Sequence, residues 1–135
     1  MAVHFNWCDA EKRIMYYKFE SQWSWDEVHA AFQASWDEAL KLDYVVDSIA
    51  DFTSAKSAIP PSAITHIRSL GQKRPANTGY MIVVGANTYM RLGMQSFQQI
   101  VHNTLRRDMQ IQFAATMDEA LAFLAEKQAE RSPSA

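Results

Sequence analysis

Between residues 44 and 126 short, dense apolar runs alternate with longer stretches whose apolar residues recur at helical spacing, three times in succession. Strands separated by helices of that length must pair in parallel, because the chain has to return across a helix before it lies beside the preceding strand. Residues 44–52 carry Val45, Val46, Ile49, Ala50 and Phe52, which predicts an inner strand despite Asp47 and Asp51. Residues 53–62 predict a loop whose Pro60 and Pro61 pre-set a helix start; Ile64, Ile67 and Leu70 give that helix a buried stripe, with Gly71 as its stop. Residues 80–84 are apolar on both faces and predict a central parallel strand. Asn87 or Thr88 then caps a helix with Met90, Met94, Phe97, Val101 and Leu105 inward. Met109, Ile111 and Phe113 alternate with polar residues, as expected of a strand nearer an edge, and Thr116 with Glu119 forms a capping box ahead of Met117, Ala120, Leu121 and Leu124.

Upstream, residues 3–7 and 14–19 are rich in aromatic and β-branched residues and flank the polar stretch 9–13, the pattern of an antiparallel hairpin. Met15, Tyr17 and Phe19 share one face of the second strand; Ile14, Tyr16 and Lys18 share the other, which is expected to be partly wet. Ser24 and Glu27 form a second capping box, followed by Val28, Ala31, Phe32, Ser35, Ala39 and Leu40 at helical spacing. The expected fold is α/β: an N-terminal β-hairpin and a helix, then βαβαβα, giving a mixed, mostly parallel sheet covered by helices. One domain is expected over residues 1–127, with a flexible polar tail over 128–135 that contains Pro133.

At 135 residues the chain can bury about two thirds of its unfolded surface around one core. Cys8 is the sole cysteine, so neither an intrachain disulfide nor a cysteine zinc site can form, and a reducing cytoplasm is the expected location. The first twenty residues hold His4, Asp9, Glu11, Lys12 and Arg13, unlike a signal peptide's apolar core, and the longest apolar run, 80–86, is too short to span a bilayer. A net charge of -2 hides an asymmetry, since residues 52–115 hold seven basic residues against one acid while the remainder holds six against fourteen. Placed on one side of the molecule, that middle segment would attract an anionic ligand or an acidic partner. Nucleic acid is not an expected partner, because the basic residues are not interleaved with aromatics and the chain is slightly acidic overall.

Three stretches carry a resemblance: Ile49-Ala-Asp-Phe52, Tyr80-Met-Ile-Val-Val-Gly85 and Thr116-Met-Asp-Glu-Ala-Leu-Ala-Phe-Leu124. With the order of elements around them, the chain resembles the STAS superfamily, which includes sulfate-transporter cytoplasmic domains and anti-sigma-factor antagonists, and in particular the bacterial SpoIIAA-like proteins. The resemblance implies a non-enzymatic domain that works through a protein partner or its own dimer. It also implies a second class of function, a carrier or sensor of a small anionic or lipid-like ligand. In the antagonists a serine at the start of the second helix is phosphorylated within an Asp-Ser-Ser-Gly stretch. Ser62, in Pro60-Pro-Ser-Ala-Ile64, stands at the matching place without the flanking Asp and Gly. A phosphate there would be tolerated at a helix N-terminus.

The residues themselves point to binding. His4, His29, His66 and His102 are far apart in sequence and form no helical metal pair, so no metal site and no cofactor is expected. Cys8, near a strand end, reads as a small buried filler. Asp47 and Asp51 share a strand face, one expected near the strand end and the other bonded to a neighbouring helix or loop. Gly85-Ala-Asn-Thr88 joins a strand to a helix but lacks the lysine and glycine spacing of a phosphate loop. Open α/β sheets bind ligands at the carboxyl ends of their strands. The candidate surface there is Thr53, Ser54, Ser57 and Ser62 from one loop, Asn87, Thr88 and Arg91 from the next, and Thr116 from the last. These groups can hold an anion or a peptide but do not by themselves activate water. Trp23 and Trp25 flank a helix start, where burial of both is not expected, and would offer an aromatic contact surface. The hairpin's open edge offers a second contact surface, for self-association.

Overall fold

Alternate side chains of a strand leave on opposite faces, and here both sets are apolar through the middle of the sheet, so both faces need a cover. The computed structural model, which describes residues 2–55, 62–85 and 110–131, forms one sheet in the order β1 (Val3–Trp7), β2 (Ile14–Ser21), β3 (Val46–Ala55), β4 (Thr78–Val84) and β5 (Ile111–Ala114). β1 and β2 pair antiparallel as the predicted hairpin, and the remaining pairs are parallel. Helices α1 (Trp25–Ala39) and α2 (Ala63–Lys73) cover one face, and α3 (Met117–Arg131) covers part of the other. The α/β class and the mixed, mostly parallel sheet are thus as the sequence predicts, with β5 at an edge of the described sheet. The helix expected after Asn87 or Thr88 lies outside the described residues. No described helix is long and apolar enough to cross a membrane.

The larger core layer gathers Met15, Tyr17 and Phe19 of β2 with Val46, Ala50 and Phe52 of β3, beneath Val28, Phe32 and Trp36 of α1 and Ile67 and Leu70 of α2. Aromatic rings bring sheet and helix together, with Tyr17 4.3 Å from Phe32, while Phe19 and Phe52 stack across adjacent strands at 4.2 Å. The smaller layer sets Ile14, Ile49, Ile82 and Val84 against Ala120 and Leu124 of α3. Tyr16 and Lys18 are half-buried, so the second face of β2 is partly wet as expected. At the start of α1 the Ser24 hydroxyl accepts from the Glu27 N–H, and the Glu27 carboxylate accepts from the backbone of Ser24 and of Ala2. One capping box therefore also ties the first strand to the first helix.

Several boundaries and burial states differ from expectation. β3 continues through Ala55, since past a register shift in β2 its last residues pair with Glu20 and Ser21; Thr53 and Ser54 are strand residues rather than loop. α2 passes Gly71 and ends at Lys73. Its stop is Pro75, which favours the extended conformation of Arg74 (ψ 129°). Leu40 is the C-cap of α1 and is 65% exposed rather than part of the inner stripe. Cys8 is exposed, not a buried filler; partial desolvation and the Asp9 carboxylate hold its thiol above its ordinary pKa.

The C-terminal helix makes the largest correction, because it runs through Arg131 where a flexible tail was expected from residue 128. The cause is Asp47, which is fully buried in β3 and needs partners in the low-dielectric interior. Its carboxylate accepts from Arg131 Nη2 at 2.7 Å, from Gln128 Nε2 at 3.3 Å and from the Tyr80 N–H at 2.8 Å. Gly79 makes room for this arrangement, since a Cβ there would stand 2.4 Å from Asp47 Oδ1. Replacing Arg131 by Met should destabilise the domain by roughly 2 kcal/mol in urea unfolding, through the charge left without its partner. An unchanged midpoint would contradict the anchor.

Candidate functional site

On its helix-covered face β3 presents Val46, Ser48, Ala50 and Phe52, two small side chains in the middle where neighbouring elements present large ones. Ser48 and Ala50 do not reach the helix layer above them. The space left is a cavity of about 90 Å³ between the sheet and helices α1 and α2. Phe19, Trp23, Trp25 and Phe52 close the end that lies toward the carboxyl termini of β2 and β3, and Val28, Phe32 and Trp36 of α1 form much of the roof. The less buried lining residues are Gly71 and Arg74 at the end of α2, Thr78, Gly79 and Met81 in the first half of β4, and Gln110 just before β5. The mouth therefore faces the amino ends of the parallel strands, with a cation and an amide at its rim.

Both tryptophans at the start of α1 are buried, Trp23 at 6% and Trp25 at 9% exposure, contrary to the expectation of an exposed aromatic pair. They fit because their rings meet edge to face at 5.0 Å while Trp23 also packs on Phe19 and Phe52. The Trp23 Nε1 N–H is buried and has no acceptor among the described residues. Trp25 stacks in parallel on His66 at 5.1 Å. His66 in turn shares a 2.9 Å hydrogen bond, Nε2 to Nδ1, with His29 of α1. Two histidines far apart in sequence thus join α1 to α2 beside the cavity. No cluster of three metal-ligating side chains occurs among the described residues.

Of the residues expected at the carboxyl ends of the strands, the described ones, Thr53, Ser54, Ser62 and Thr116, are not among the residues that line this cavity. Thr53 is exposed; its backbone N–H and its hydroxyl both donate to Asp51 Oδ1, at 2.9 and 2.7 Å. It also packs against Gly85, whose positive φ of 74° suits glycine and where a Cβ would lie 2.7 Å from Thr53 Cγ2. Ser54 is half-buried in β3. Ser62 is the exposed N-cap of α2, with a left-handed φ of 69° and no capping hydrogen bond from its side chain. Thr116 is exposed, and its hydroxyl accepts from the Glu119 N–H at 3.2 Å, so it serves the start of α3 as expected. Ser57, Asn87, Thr88 and Arg91 lie outside the described residues, as do Lys56, Arg106 and Arg107 of the basic segment.

Asp47 and Asp51 share a face, as their spacing requires, but serve separate contacts. Asp51 accepts from the Tyr16 hydroxyl as well as from Thr53. Burial alone would raise its pKa, and the hydrogen bonds from Tyr16 and Thr53 outweigh that and hold the carboxyl below its ordinary range. Tyr16 is pushed up by burial, then by its bond to Asp51. A phenol held protonated beside a carboxylate held ionised forms a settled pair that does not exchange its proton near neutrality.

His29 is held below the ordinary histidine range, first by burial and then by positive charge on His66 and Lys73, with Asp26 acting the other way. The fold therefore favours the neutral ring. Its contribution to stability is complete above the unfolded value of about 6.5 and is lost as pH falls through the lower folded value. His29→Gln should flatten the dependence of unfolding free energy on pH just below about 6.5; curves parallel to those of the parent protein would contradict this. No family model matches the chain, and no curated protein does either.

Proposed function

We propose that the chain is a non-enzymatic, cytoplasmic binding domain of the STAS, SpoIIAA-like kind that holds a small, largely apolar molecule between its sheet and helices α1 and α2. The observation that carries this reading is the cavity over Ser48 and Ala50, lined by aromatic and aliphatic carbon and rimmed by Arg74 and Gln110. Ligand sites are commonly apolar concavities with a few polar groups that set orientation, and this one has that make-up. Arg74 at the mouth suits a ligand whose outer end is anionic or polar. The hairpin followed by parallel strands is the element order on which the STAS resemblance rests.

A protein partner or a second copy is the other reading, favoured by β1, whose outer edge pairs with no strand among the described residues. Native mass spectrometry separates the two, since a carrier retains a small molecule and a pairing domain gives an apo dimer or hetero-complex. For the cavity itself, anilinonaphthalene sulfonate, an aromatic body with one anionic group, should bind saturably at one site per chain. Ala50→Leu, which fills the space, should abolish that binding while the cooperative thermal transition is kept. Unsaturable binding by the parent, or undiminished binding by a folded Ala50→Leu variant, would contradict the proposal.

A further inference from the structure

Helix α2 is lightly held. Among its described side chains only Ile67 and Leu70 are buried, and both line the cavity, as do Trp25 and Val28 of α1. Past its end the chain is fixed, since the Thr78 hydroxyl donates to the Pro75 carbonyl at 2.8 Å and Asn77 Nδ2 donates to the carbonyls of Ala39 at 2.9 Å and Tyr44 at 3.2 Å. A swing of α2 therefore pivots at Arg74, whose extended backbone joins the helix to that pinned turn. What ties α2 to α1 is the 2.9 Å bond between His29 Nε2 and His66 Nδ1, with the His66 ring also stacked on Trp25.

Two facing ring nitrogens 2.9 Å apart have room for one hydrogen. With both rings neutral, one donates its N–H and the other accepts; with one ring charged, the charged ring donates and the bond strengthens. A second proton makes both nitrogens donors, so the bond is lost and two like charges face each other.

We infer that α2 is an acid-released flap: when His29 and His66 are both protonated they repel, α2 turns about Arg74, and the space over Ala50 opens. The release of a ligand rests on the cavity reading given above, whereas the movement of α2 does not. The charged groups that act on His29 are His66 and Lys73 of α2 and Asp26 of its own helix. Both cations lie on α2, so charge on His29 pushes against that helix as a unit. Burial, then the two cations, hold the His29 ring below the ordinary histidine range against the pull of Asp26, and the second proton arrives only below about pH 6.5. The start of α1 keeps its cap there, because the Glu27 carboxyl is held below its ordinary range, chiefly by the hydrogen bond from the Ala2 N–H.

Hydrogen–deuterium exchange of the full chain, corrected for the intrinsic effect of pH on exchange, reads the movement directly. From about pH 7.5 to about pH 5 the protection of residues 63–73 should fall about tenfold, the effect of one lost hydrogen bond, while α1 and β3 keep theirs. His29→Gln retains a group that donates and accepts but takes no proton, so its α2 protection should stay level over that range. If that variant fails to fold, NMR titration of the parent's rings decides, since the second protonation step should coincide with the loss of α2 protection. Bound anilinonaphthalene sulfonate should leave about tenfold faster at the lower pH. Level α2 protection in the parent, a loss shared equally by α1 and β3, or a loss that persists in His29→Gln would overturn the flap. A fall in protection with an unchanged dissociation rate would overturn the release of ligand alone. Failure of the probe to bind at any pH would overturn the cavity reading and the release with it, and the exchange result would still decide the flap.

Discussion

Two small residues on the central strand, Ser48 and Ala50, set the character of this domain, because the side chains of β2 and α1 that face them are large and mostly aromatic. Aromatic side chains from β2, β3 and α1 meet over a sheet that does not rise to fill the space beneath them. At the usual dependence of stability on void volume, a dry cavity of about 90 Å³ forgoes on the order of 2 kcal/mol. The surrounding aromatic contacts offset that loss, with Phe19 stacked on Phe52 and Tyr17 against Phe32. The interior gives up packing where one larger side chain would have restored it, which is the feature behind the proposed ligand site.

The opposite face of the sheet supplies rigidity. Asp47 links β3 to the start of β4 through the Tyr80 N–H and to α3 through Gln128 and Arg131. It neighbours Gly79, which lines the mouth of the cavity on the other side. The absence of a Cβ at that one position admits the Asp47 carboxylate on the face opposite the cavity. The strand that borders the cavity is thereby held from behind, while α1 and α2 above it are joined by the His29–His66 bond and the Trp25–His66 stack.

Much of the architecture was legible because its signals are local. Alternation identified the hairpin, the capping boxes at Ser24 and Thr116 marked two helix starts, and the two-faced apolar run at 80–84 announced a parallel strand. Three of the misjudged points depend on partners distant in sequence. Thr53 belongs to a strand because Ser54 and Ala55 find Glu20 and Ser21, and the last helix persists because Arg131 meets an aspartate on β3. Trp23 and Trp25 are buried together only because Phe19, Phe52 and His66 converge on them. The candidate site was the least legible part. Of the hydroxyls expected at the strand carboxyl ends, Thr53 bonds to its own strand and Thr116 caps a helix. The usable clue was the contrast between an aromatic-dense first third and the small Ser48 and Ala50 at the centre of the sheet.

The central claim is that the space over Ser48 and Ala50 is a preformed, dry, accessible apolar chamber. Diffraction from crystals of the full chain held under xenon pressure tests it most directly, since xenon enters such spaces without needing any polar contact. The account expects a xenon peak bounded by Ala50, Phe52, Trp25 and Val28. Side chains found collapsed across that space, with no xenon between the sheet and α1, would contradict it.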